Sequence, residues 1–552
     1  MSVLPASTQV LICGGGPVGL AAAIELGRRG IDCVVIEPRE AVSHARPRCK
    51  TVNVRTMEHL RRWGIADRLR ERAPLPVSWS QDIVFCTSLT GFELSRFTGV
   101  LGLVPEGDRF PEVGQQAPQY VLEELLRDVA RELPGVSLLT GRRVAGLEQD
   151  EHEVEVTVVD AVGAAGRIAA EYVLGCDGSR SAVRAAIGSQ YVGEHALRPN
   201  FGMVFSAPGL LDRAAHGPAV QYWLLNRTTP GLMGPIDRDA TWWLIAFGVE
   251  REHGEREARA LIDGAVGAPT EASVLSVDPW TARMQLVDRA RRGRVLLAGD
   301  AAHLNPPFGG HGLNTGIGDA VDLGWKLAAI LRGWGGPGLL DGYEAERRPV
   351  QAAVIAEAAA NNRVLATELM TADIDAAGAS GERARGDAHT AIQTAKHAEF
   401  HALDLVLDLG YGDSPLTVGD DAGGRLPHVR LVDGRSIYDA LGPDLTLLAL
   451  DDGAWPANTS DGDDDDRGSG AVRDIERAAA ERGVPLRVVR LPAELRDRYG
   501  APLVLVRPDQ HVAWRGRSPR GGPGQLIDRV RGAGRKSSEP RSTDGVDRSL
   551  DR

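Results

Sequence analysis

Cysteine is scarce in this sequence: the 552 residues include five cysteines, and no two of them form a Cys-x-x-Cys pair. All five lie in the first third of the chain, and Cys13, Cys33 and Cys176 fall within apolar runs. A free thiol in such a run behaves as a small hydrophobic side chain. An odd count without metal-ligand spacing argues against a disulfide framework and against a metal site. We therefore expect a cytoplasmic protein that holds no metal.

Long apolar runs and a basic excess are also missing. No run approaches the ~20 apolar residues needed to cross a bilayer. The chain passes from a few polar residues into its first strand, which leaves no room for a signal peptide. The formal net charge is −12, whereas a nucleic-acid partner requires a basic surface. We expect neither a membrane nor a nucleic acid as partner, and the oligomeric state stays open between monomer and homodimer.

The most informative stretch that is present lies at the N-terminus, where an apolar strand leads through a glycine-rich turn into an alanine-rich helix. Gly14, Gly16 and Gly19 stand in G-x-G-x-x-G spacing. The first glycine permits a tight turn, the second lets a pyrophosphate approach the backbone, and the third lets helix and strand pack closely. Glu37 closes the next apolar run, at the distance expected for an acid that binds a ribose hydroxyl. The pattern predicts a dinucleotide site.

A second strand-to-helix junction follows residue 294. A buried strand ends in Gly299-Asp300, and the chain then passes through Pro306-Pro307-Phe308 into the glycine-rich stretch from Gly309 to Asn314. Glycines leave the backbone open to a flat ligand, and a helix N-terminus favours negative charge. We expect a second cofactor-facing loop here.

Changes of pattern along the chain predict an α/β protein with several domains. Aromatic residues form only 5% of the chain, yet many lie between residues 200 and 250, which predicts a sheet with one large apolar face that lines a pocket. The predicted boundaries are 1–75, 119–190 and 281–400 for a discontinuous cofactor-binding domain, 76–118 and 191–280 for an inserted substrate-binding sheet domain, 401–531 for a small C-terminal α/β domain, and 532–552 for a disordered tail.

Four stretches together resemble the FAD-dependent aromatic hydroxylases, the single-component class typified by p-hydroxybenzoate hydroxylase and phenol hydroxylase. They are Gly14–Gly19 with Glu37, Arg48 with Arg55–Glu58, Cys176–Gly178, and Gly299–Asn314. The resemblance implies a Rossmann-like FAD-binding domain with an inserted antiparallel-sheet substrate domain. It further implies that the C-terminal domain is thioredoxin-like, as in the phenol-hydroxylase branch.

The resemblance implies bound FAD and transient NADPH or NADH. The glycine turn would hold the pyrophosphate, Glu37 the adenosine ribose and Asp300 the ribityl chain. Backbone N–H groups near Gly312 would face the pyrimidine edge of the flavin, where a helix N-terminus stabilises negative charge. The implied cofactor-binding residues are Gly14, Gly16, Pro17, Val18, Gly19, Glu37, Pro38, Arg39, Arg48, Gln119, Asp177, Asp300, Pro307, Gly310, Gly312, Leu313 and Asn314.

The implied reaction is hydroxylation of a phenolic or other electron-rich aromatic with NAD(P)H and O2, through a flavin C4a-hydroperoxide. The varied aromatic wall suggests a polyketide-type or heteroaromatic substrate and a place in secondary metabolism. We expect the wall to include Tyr222, Trp223, Met233, Trp243, Pro307 and Phe308.

Three residues are candidates for the group that activates the phenol: Asp82, Tyr222 and His311. His311 stands where the family commonly has Gln, and unlike Gln it can titrate near neutral pH. Two alternatives stay open at this point. One is Baeyer–Villiger oxygen insertion on the same fold, and the other is a flavin-binding protein without turnover.

Overall fold

The structure is a computed structural model that describes residues 4–45, 50–195, 198–363, 370–371, 373–451 and 465–534. Phe308, residues 362–363 and residues 465–469 are described by their backbone alone. Arg48 and most of the predicted tail, from residue 535 onward, lie outside the described residues.

The strands are, in chain order, β1 (Ser7–Cys13), β2 (Cys33–Glu37), β3 (Thr51–Val52), β4 (Ile83–Cys86), β5 (Glu93–Phe97), β6 (Gln115–Gln116), β7 (Val136–Thr140), β8 (Arg142–Gln149), β9 (Val154–Asp160), β10 (Ala165–Gly175), β11 (Tyr191–Glu194), β12 (Pro199–Ser206), β13 (Gln221–Leu224), β14 (Gly231–Pro235), β15 (Thr241–Phe247), β16 (Ser273–Thr281), β17 (Met284–Val287), β18 (Arg291–Arg292), β19 (Val295–Leu297), β20 (His303–Leu304), β21 (Leu445–Leu450), β22 (Leu486–Leu491), β23 (Leu503–Val506) and β24 (Val512–Gly516).

The helices are α1 (Pro17–Gly27), α2 (Val54–Arg62), α3 (Ala66–Arg72), α4 (Gln119–Glu132), α5 (Ala182–Ala186), α6 (Leu210–Arg213), α7 (Arg251–Val266), α8 (His311–Leu331), α9 (Gly338–Arg363), α10 (Gly378–Phe400), α11 (Leu403–Leu407), α12 (Ile437–Ala440), α13 (Asp465–Glu481), α14 (Arg496–Tyr499) and α15 (Pro523–Val530). Within the described ranges, none of these helices combines the length and the apolarity that a membrane span requires.

The first sheet has the strand order β18-β19-β10-β1-β2-β7, and its central strands β19, β10, β1, β2 and β7 are parallel. Every residue of β2 is buried, as expected for a strand covered on both faces. Helices α1 and α8 pack against each other and share one apolar core with this sheet. The predicted α/β class with a Rossmann-like parallel sheet is confirmed.

The second sheet has the order β16-β12-β15-β14-β13-β4-β5 and is antiparallel except where β13 lies parallel to β4. Side chains alternate between its two faces. The first, here called the α7 face, carries Tyr222, Met233 and Trp242 and packs against α7. The second, here called the Trp243 face, carries Trp223 and Trp243 and is covered in part by α10. The strands fall at 83–97 and 199–281; the domain boundaries predicted above stay predictions.

The C-terminal residues form a four-stranded sheet of order β22-β21-β23-β24, with α13 and α15 packed on it. A buried charge cluster joins this sheet to the first domain. Arg507, directly after β23, donates to Asp322 Oδ1 at 3.1 Å and to Glu346 Oε2 at 2.9 Å. Lys326 Nζ donates to Asp322 Oδ2 at 2.7 Å, and Asp509 accepts from Arg507 at 2.6 Å. The cluster consists of Asp322, Lys326, Glu346, Arg507 and Asp509, each at most 2% exposed.

Because removal of one partner leaves the others charged and buried, Arg507→Ala should lower the free energy of unfolding by about 3–5 kcal/mol. Denaturant unfolding of the purified protein measures this loss. The matched control is Arg487→Ala on β22, where the side chain is exposed. The control should change the free energy by less than about 0.5 kcal/mol. Equal effects from the two variants would contradict the conclusion that the charge cluster holds the C-terminal sheet against the first domain.

Candidate active site

The glycine turn between β1 and α1 has space on one side only. A Cβ atom at Gly14, which has φ +103°, would lie 2.4 Å from the Cys176 carbonyl oxygen. A Cβ at Gly19 would lie 2.0 Å from the Gly14 oxygen, whereas a Cβ at Gly16 would meet no heavy atom within 4 Å. Gly14 and Gly19 are thus required by packing, and Gly16 faces open space at the N-terminus of α1. This is the arrangement that a pyrophosphate needs.

Glu37 fixes the turn from the end of β2. Its Oε2 accepts from the Gly15 N–H at 2.8 Å, and its Oε1 accepts from the Arg39 N–H at 3.0 Å and from Arg39 Nε at 2.8 Å. Arg39, which follows Pro38, also donates to Glu123 on α4 at 3.0 Å. The carboxylate therefore lies beside the glycine turn and links it to the helix that begins at Gln119.

Asp177 lies on the other side of the turn. Its Oδ2 accepts from the N–H groups of Ala182 at 2.7 Å and Val183 at 3.2 Å, at the start of α5. The preceding residue, Cys176, carries the carbonyl against which Gly14 packs. Asp177 thus holds the loop that faces the glycine turn.

The two loops that the sequence predicts to face a cofactor meet at Val18. A Cβ at Gly299 would lie 2.9 Å from Val18 Cγ2, and a Cβ at Gly316 would lie 2.7 Å from the same atom. Gly299 has φ +60°, and the Asp300 side chain that follows it is exposed to solvent. The structure therefore brings the start of α1, the Gly299-Asp300 loop and the first turns of α8 together.

Asp319, which sequence reasoning missed, anchors this meeting point. Its Oδ2 accepts from the Gly299 N–H at 3.2 Å and lies 3.1 Å from His303 Nε2. Its Oδ1 accepts from Arg347 Nε at 2.8 Å and from Gln351 Nε2 at 3.1 Å. Burial opposes ionisation, but the Arg347 charge and the His303 hydrogen bond outweigh it and lower the pKa of Asp319 to about 2. In the sequence, the signal that could have identified Asp319 is an acidic residue among the apolar residues of α8.

The first turn of α8 points its free N–H groups past Gly310. Gly309 and Gly310 have φ values of +76° and +69°, and no acidic residue lies in this turn. Asn314 Nδ2 donates to the carbonyls of Thr51 at 2.9 Å and Gly310 at 2.7 Å, while its Oδ1 accepts from the Asn53 N–H at 3.0 Å. The Asn314 side chain therefore fixes the helix to β3, and the N–H groups of the first turn carry the partial positive charge of a helix N-terminus.

The His311 ring packs against the turn before α8, where a Cβ at Gly309 would lie 2.4 Å from His311 Nε2. The side chains of α8 that face Val18 and the first sheet belong to Leu313, Gly316 and Ile317, and His311 lies on the opposite side of the helix. There it lines a cavity of about 70 Å³ with His59 and His511. Burial lowers the pKa of His311 to about 4, so the ring is neutral at pH 7. The catalytic role of His311 stays a prediction, and the ring lies on the side of α8 away from Val18.

The other two candidate bases are also placed elsewhere. Asp82 Oδ2 accepts from Arg96 Nη1 at 2.9 Å, so its carboxylate is held by an ion pair on edge strand β5. Tyr222 lies on the α7 face, where its hydroxyl donates to the Gly217 carbonyl at 2.5 Å and accepts from the Ala219 N–H at 3.1 Å. Neither group reaches the Trp243 face. The catalytic roles of Asp82 and Tyr222 stay predictions that this geometry does not favour.

The predicted substrate wall divides between the two faces of the second sheet. Met233 pairs with Tyr222 and shares the α7 face, so neither residue can line a pocket on the other side. Trp223 lies on the Trp243 face but is fully buried against Phe85 and Phe400. Trp243 is only partly buried. Pro307 precedes the short turn Phe308–Gly310 at the start of α8.

Comparison with known proteins identifies the family to which the chain belongs. The family model described as an FAD binding domain matches residues 7–358. The chain belongs to this family. It is 34% identical to the rebeccamycin biosynthetic enzyme RebC, solved with reduced flavin, over 96% of this chain and 100% of RebC, with a TM-score of 0.85.

Two characterised relatives are similar over nearly their full length. Aklavinone 12-hydroxylase RdmE of Streptomyces purpurascens is 31% identical over 92% of this chain and 95% of its own. The 4-methyl-5-nitrocatechol 5-monooxygenase of a Burkholderia species is 31% identical over 92% of this chain and 94% of its own. The predicted resemblance is confirmed: the chain is a single-component aromatic monooxygenase that uses FAD, with NAD(P)H as the transient reductant typical of the family.

Asp319→Asn should loosen the Gly299 loop, because a neutral amide cannot balance Arg347. We expect a loss of about 3 kcal/mol in the free energy of unfolding and weaker retention of FAD. Denaturant unfolding and the flavin absorbance of the purified protein measure the two effects. Asp341→Asn is the control, since Asp341 is 65% exposed at the start of α9. If flavin retention in Asp319→Asn equals that of the control, the anchoring role is wrong.

Proposed function

We propose that this monooxygenase hydroxylates a phenolic polycyclic aromatic, of polyketide or heteroaromatic type, at the Trp243 face of the second sheet. Two similar proteins are named for large aromatic molecules, aklavinone and rebeccamycin. The aromatic side chains of the sheet provide the apolar wall that such a ring system needs. Trp243 and Pro307 are the wall residues that we retain from the sequence.

One observation carries the placement of the site. Strand β3 connects the first turn of α8 to the Trp243 face: Asn314 binds the Thr51 carbonyl, and the preceding residue, Lys50, donates to the carbonyls of Val220 and Pro235. A Cβ at Gly310 would lie 3.0 Å from Thr51 Cβ. A planar group held at the start of α8 is therefore close to the sheet face on which the substrate would lie.

The residues present fit FAD, and we assign them as follows. The open side of Gly16, with Pro17 and Val18, receives the pyrophosphate. Glu37 is placed for the adenosine ribose, with Pro38, Arg39, Gln119 and Asp177 around the adenine half. Asp300, at the exposed end of the second loop, is assigned to the ribityl chain. Arg48, outside the described residues, stays a predicted cofactor contact.

The N-terminus of α8 is assigned to the flavin ring. Its free N–H groups at Gly312 and Leu313 carry a partial positive charge, which stabilises a developing negative charge without reorganisation. Bound FAD, once reduced by NADPH or NADH, supplies the oxygen-transfer chemistry with O2. The chain itself orients the aromatic ring against that edge and keeps water from it.

We further propose the domain boundaries, the partners, the cellular location and the oligomeric state predicted from the sequence. The proposed boundaries lie at residues 75, 118, 190, 280, 400 and 531, with a thioredoxin-like C-terminal unit. The seven-stranded sheet and the four-stranded C-terminal sheet support this division, although β11 pairs with β17 across the boundaries at 190 and 280. A net charge of −12 supports a protein without a nucleic-acid or membrane partner. The cysteine pattern supports a cytoplasmic location, and a monomer or a homodimer is compatible with both.

The test is a screen of phenols and polycyclic aromatics for stimulated NADPH or NADH oxidation, followed by product mass. Hydroxylation adds one oxygen atom to a phenolic compound. A ketone converted to an ester or lactone would instead support Baeyer–Villiger insertion. No stimulation by any compound would support a flavin-binding protein without turnover.

Asp300→Ala should yield folded protein with little bound flavin, because the ribityl hydroxyls lose their acidic partner. The ratio of flavin to protein absorbance after purification measures the loss. Asp67→Ala is the control: Asp67 is 90% exposed on α3 and should leave the flavin content unchanged. A normal flavin spectrum for Asp300→Ala would refute the placement of Asp300.

A further inference from the structure

Lys50 lies at the junction of β3 and the Trp243 face and has no carboxylate partner within the described part of the chain. Its Nζ donates to the Pro235 carbonyl at 3.2 Å and to the Val220 carbonyl, and it lies 5.4 Å from the centre of the Trp243 ring. Among the described residues, no Asp or Glu oxygen lies within 4.0 Å of it. Carbonyl oxygens satisfy the hydrogen bonds of an ammonium group but do not balance its charge.

The pKa of Lys50 is consistent with the lack of a nearby carboxylate. Although the residue keeps some solvent-accessible surface, burial of its ammonium group lowers the pKa of Lys50 to about 7. The other two lysines that the structure describes have carboxylate partners: Lys326 is paired with Asp322 and Lys396 with Glu399. A lysine that is desolvated and unpaired can exchange a proton with a bound molecule near neutral pH.

A second unsatisfied donor lies beside Lys50. The indole Nε1 of Trp243 is buried and has no hydrogen-bond partner among the described residues. A Cβ at Gly234 would lie 3.1 Å from this nitrogen and 2.9 Å from the Val220 oxygen that accepts from Lys50. The lack of a side chain at residue 234 therefore lets the Trp243 indole pack close to the carbonyl that binds Lys50. Two donors, one of them charged, therefore lie close together on the Trp243 face.

We propose that Lys50 and the Trp243 indole N–H form an oxyanion site that binds the ionised hydroxyl of the aromatic substrate, with Lys50 as the base that accepts its proton. The inference rests on the proposed function and adds the residue that Asp82, Tyr222 and His311 do not provide. The substrate class is thereby narrowed to aromatics with an acidic ring hydroxyl.

The step balances without a redox partner. The substrate O–H bond breaks, the lone pair of the neutral Lys50 amine forms an N–H bond with the released proton, and the electron pair stays on oxygen. The product is a phenolate paired with the Lys50 ammonium, with the Trp243 N–H donating to the same oxygen. A phenolate ring is richer in electrons at its ortho and para carbons, which are the positions that hydroxylation attacks.

Dye binding tests this proposal without turnover. Alizarin is a polycyclic phenol whose neutral and ionised forms differ in visible absorption. It is titrated into holoenzyme with oxidised FAD and no NAD(P)H, at a pH below the pKa of the free dye. Wild-type protein should bind the ionised form, and should bind alizarin at least about tenfold more tightly than its dimethyl ether, which cannot ionise.

The variants separate charge from packing. Lys50→Met should weaken binding of the ionised dye by at least about tenfold, while Lys50→Arg, which keeps the charge, should retain it. Trp243→Phe should also weaken binding about tenfold, because it removes one hydrogen bond to a charged oxygen. The matched control is Trp242→Phe, the same change at the adjacent residue on the α7 face, which should bind as wild type does.

The outcomes are distinct from those of the substrate screen. The proposal is wrong if wild-type protein prefers neither ionised alizarin nor alizarin over its ether. It is equally wrong if Lys50→Met and Trp243→Phe bind the ionised dye as wild type does. Loss of ionised-dye binding in these two variants with normal flavin content supports the site. Failure of every aromatic to stimulate NAD(P)H oxidation would overturn the proposed function and leave the dye result standing.

Discussion

The buried charges of α8 constrain the rest of the structure. Asp319, Asp322 and Lys326 are each 0% exposed and lie on one stripe of the helix. An isolated buried charge costs several kcal/mol, so each must find a partner of opposite sign. Asp319 forms an ion pair with Arg347 on α9, and Asp322 forms one with Arg507 of the C-terminal sheet. The helix can therefore occupy only the position in which these partners meet it.

The same constraint positions the candidate site. Asp319 also accepts from the Gly299 N–H, and Asn314 donates to the carbonyl of Thr51. The Gly299 loop and strand β3 are therefore both held in place by α8. The C-terminal sheet contributes through Arg507, although no residue of its strands lines the Trp243 face. The C-terminal sheet thus contributes to the proposed site by positioning α8, whose N-terminus we assign to the flavin ring.

Strand alternation explains why some predicted site residues were misplaced. Adjacent residues of a strand face opposite sides, and the sequence of β13 and β15 gives aromatic residues at both positions, so composition could not tell which side faces the cofactor. Helix α7 covers Tyr222, Met233 and Trp242, and this covering element comes from a distant part of the chain. For His311 the same difficulty arises on a helix, because the side chain lies on the stripe opposite Leu313.

The sequence by itself determined the α/β class, the glycine turn after β1 and the glycine-rich start of α8. These depend on local patterns: apolar runs, glycine spacing and a helix start, each read within about 20 residues. Only the tertiary structure decided which groups share the space beside the flavin. Asp319 became an anchor because Arg347 and His303 surround it. Lys50 became a candidate base because the second sheet buries its ammonium group with no carboxylate partner among the described residues, and burial is a property of the assembled fold.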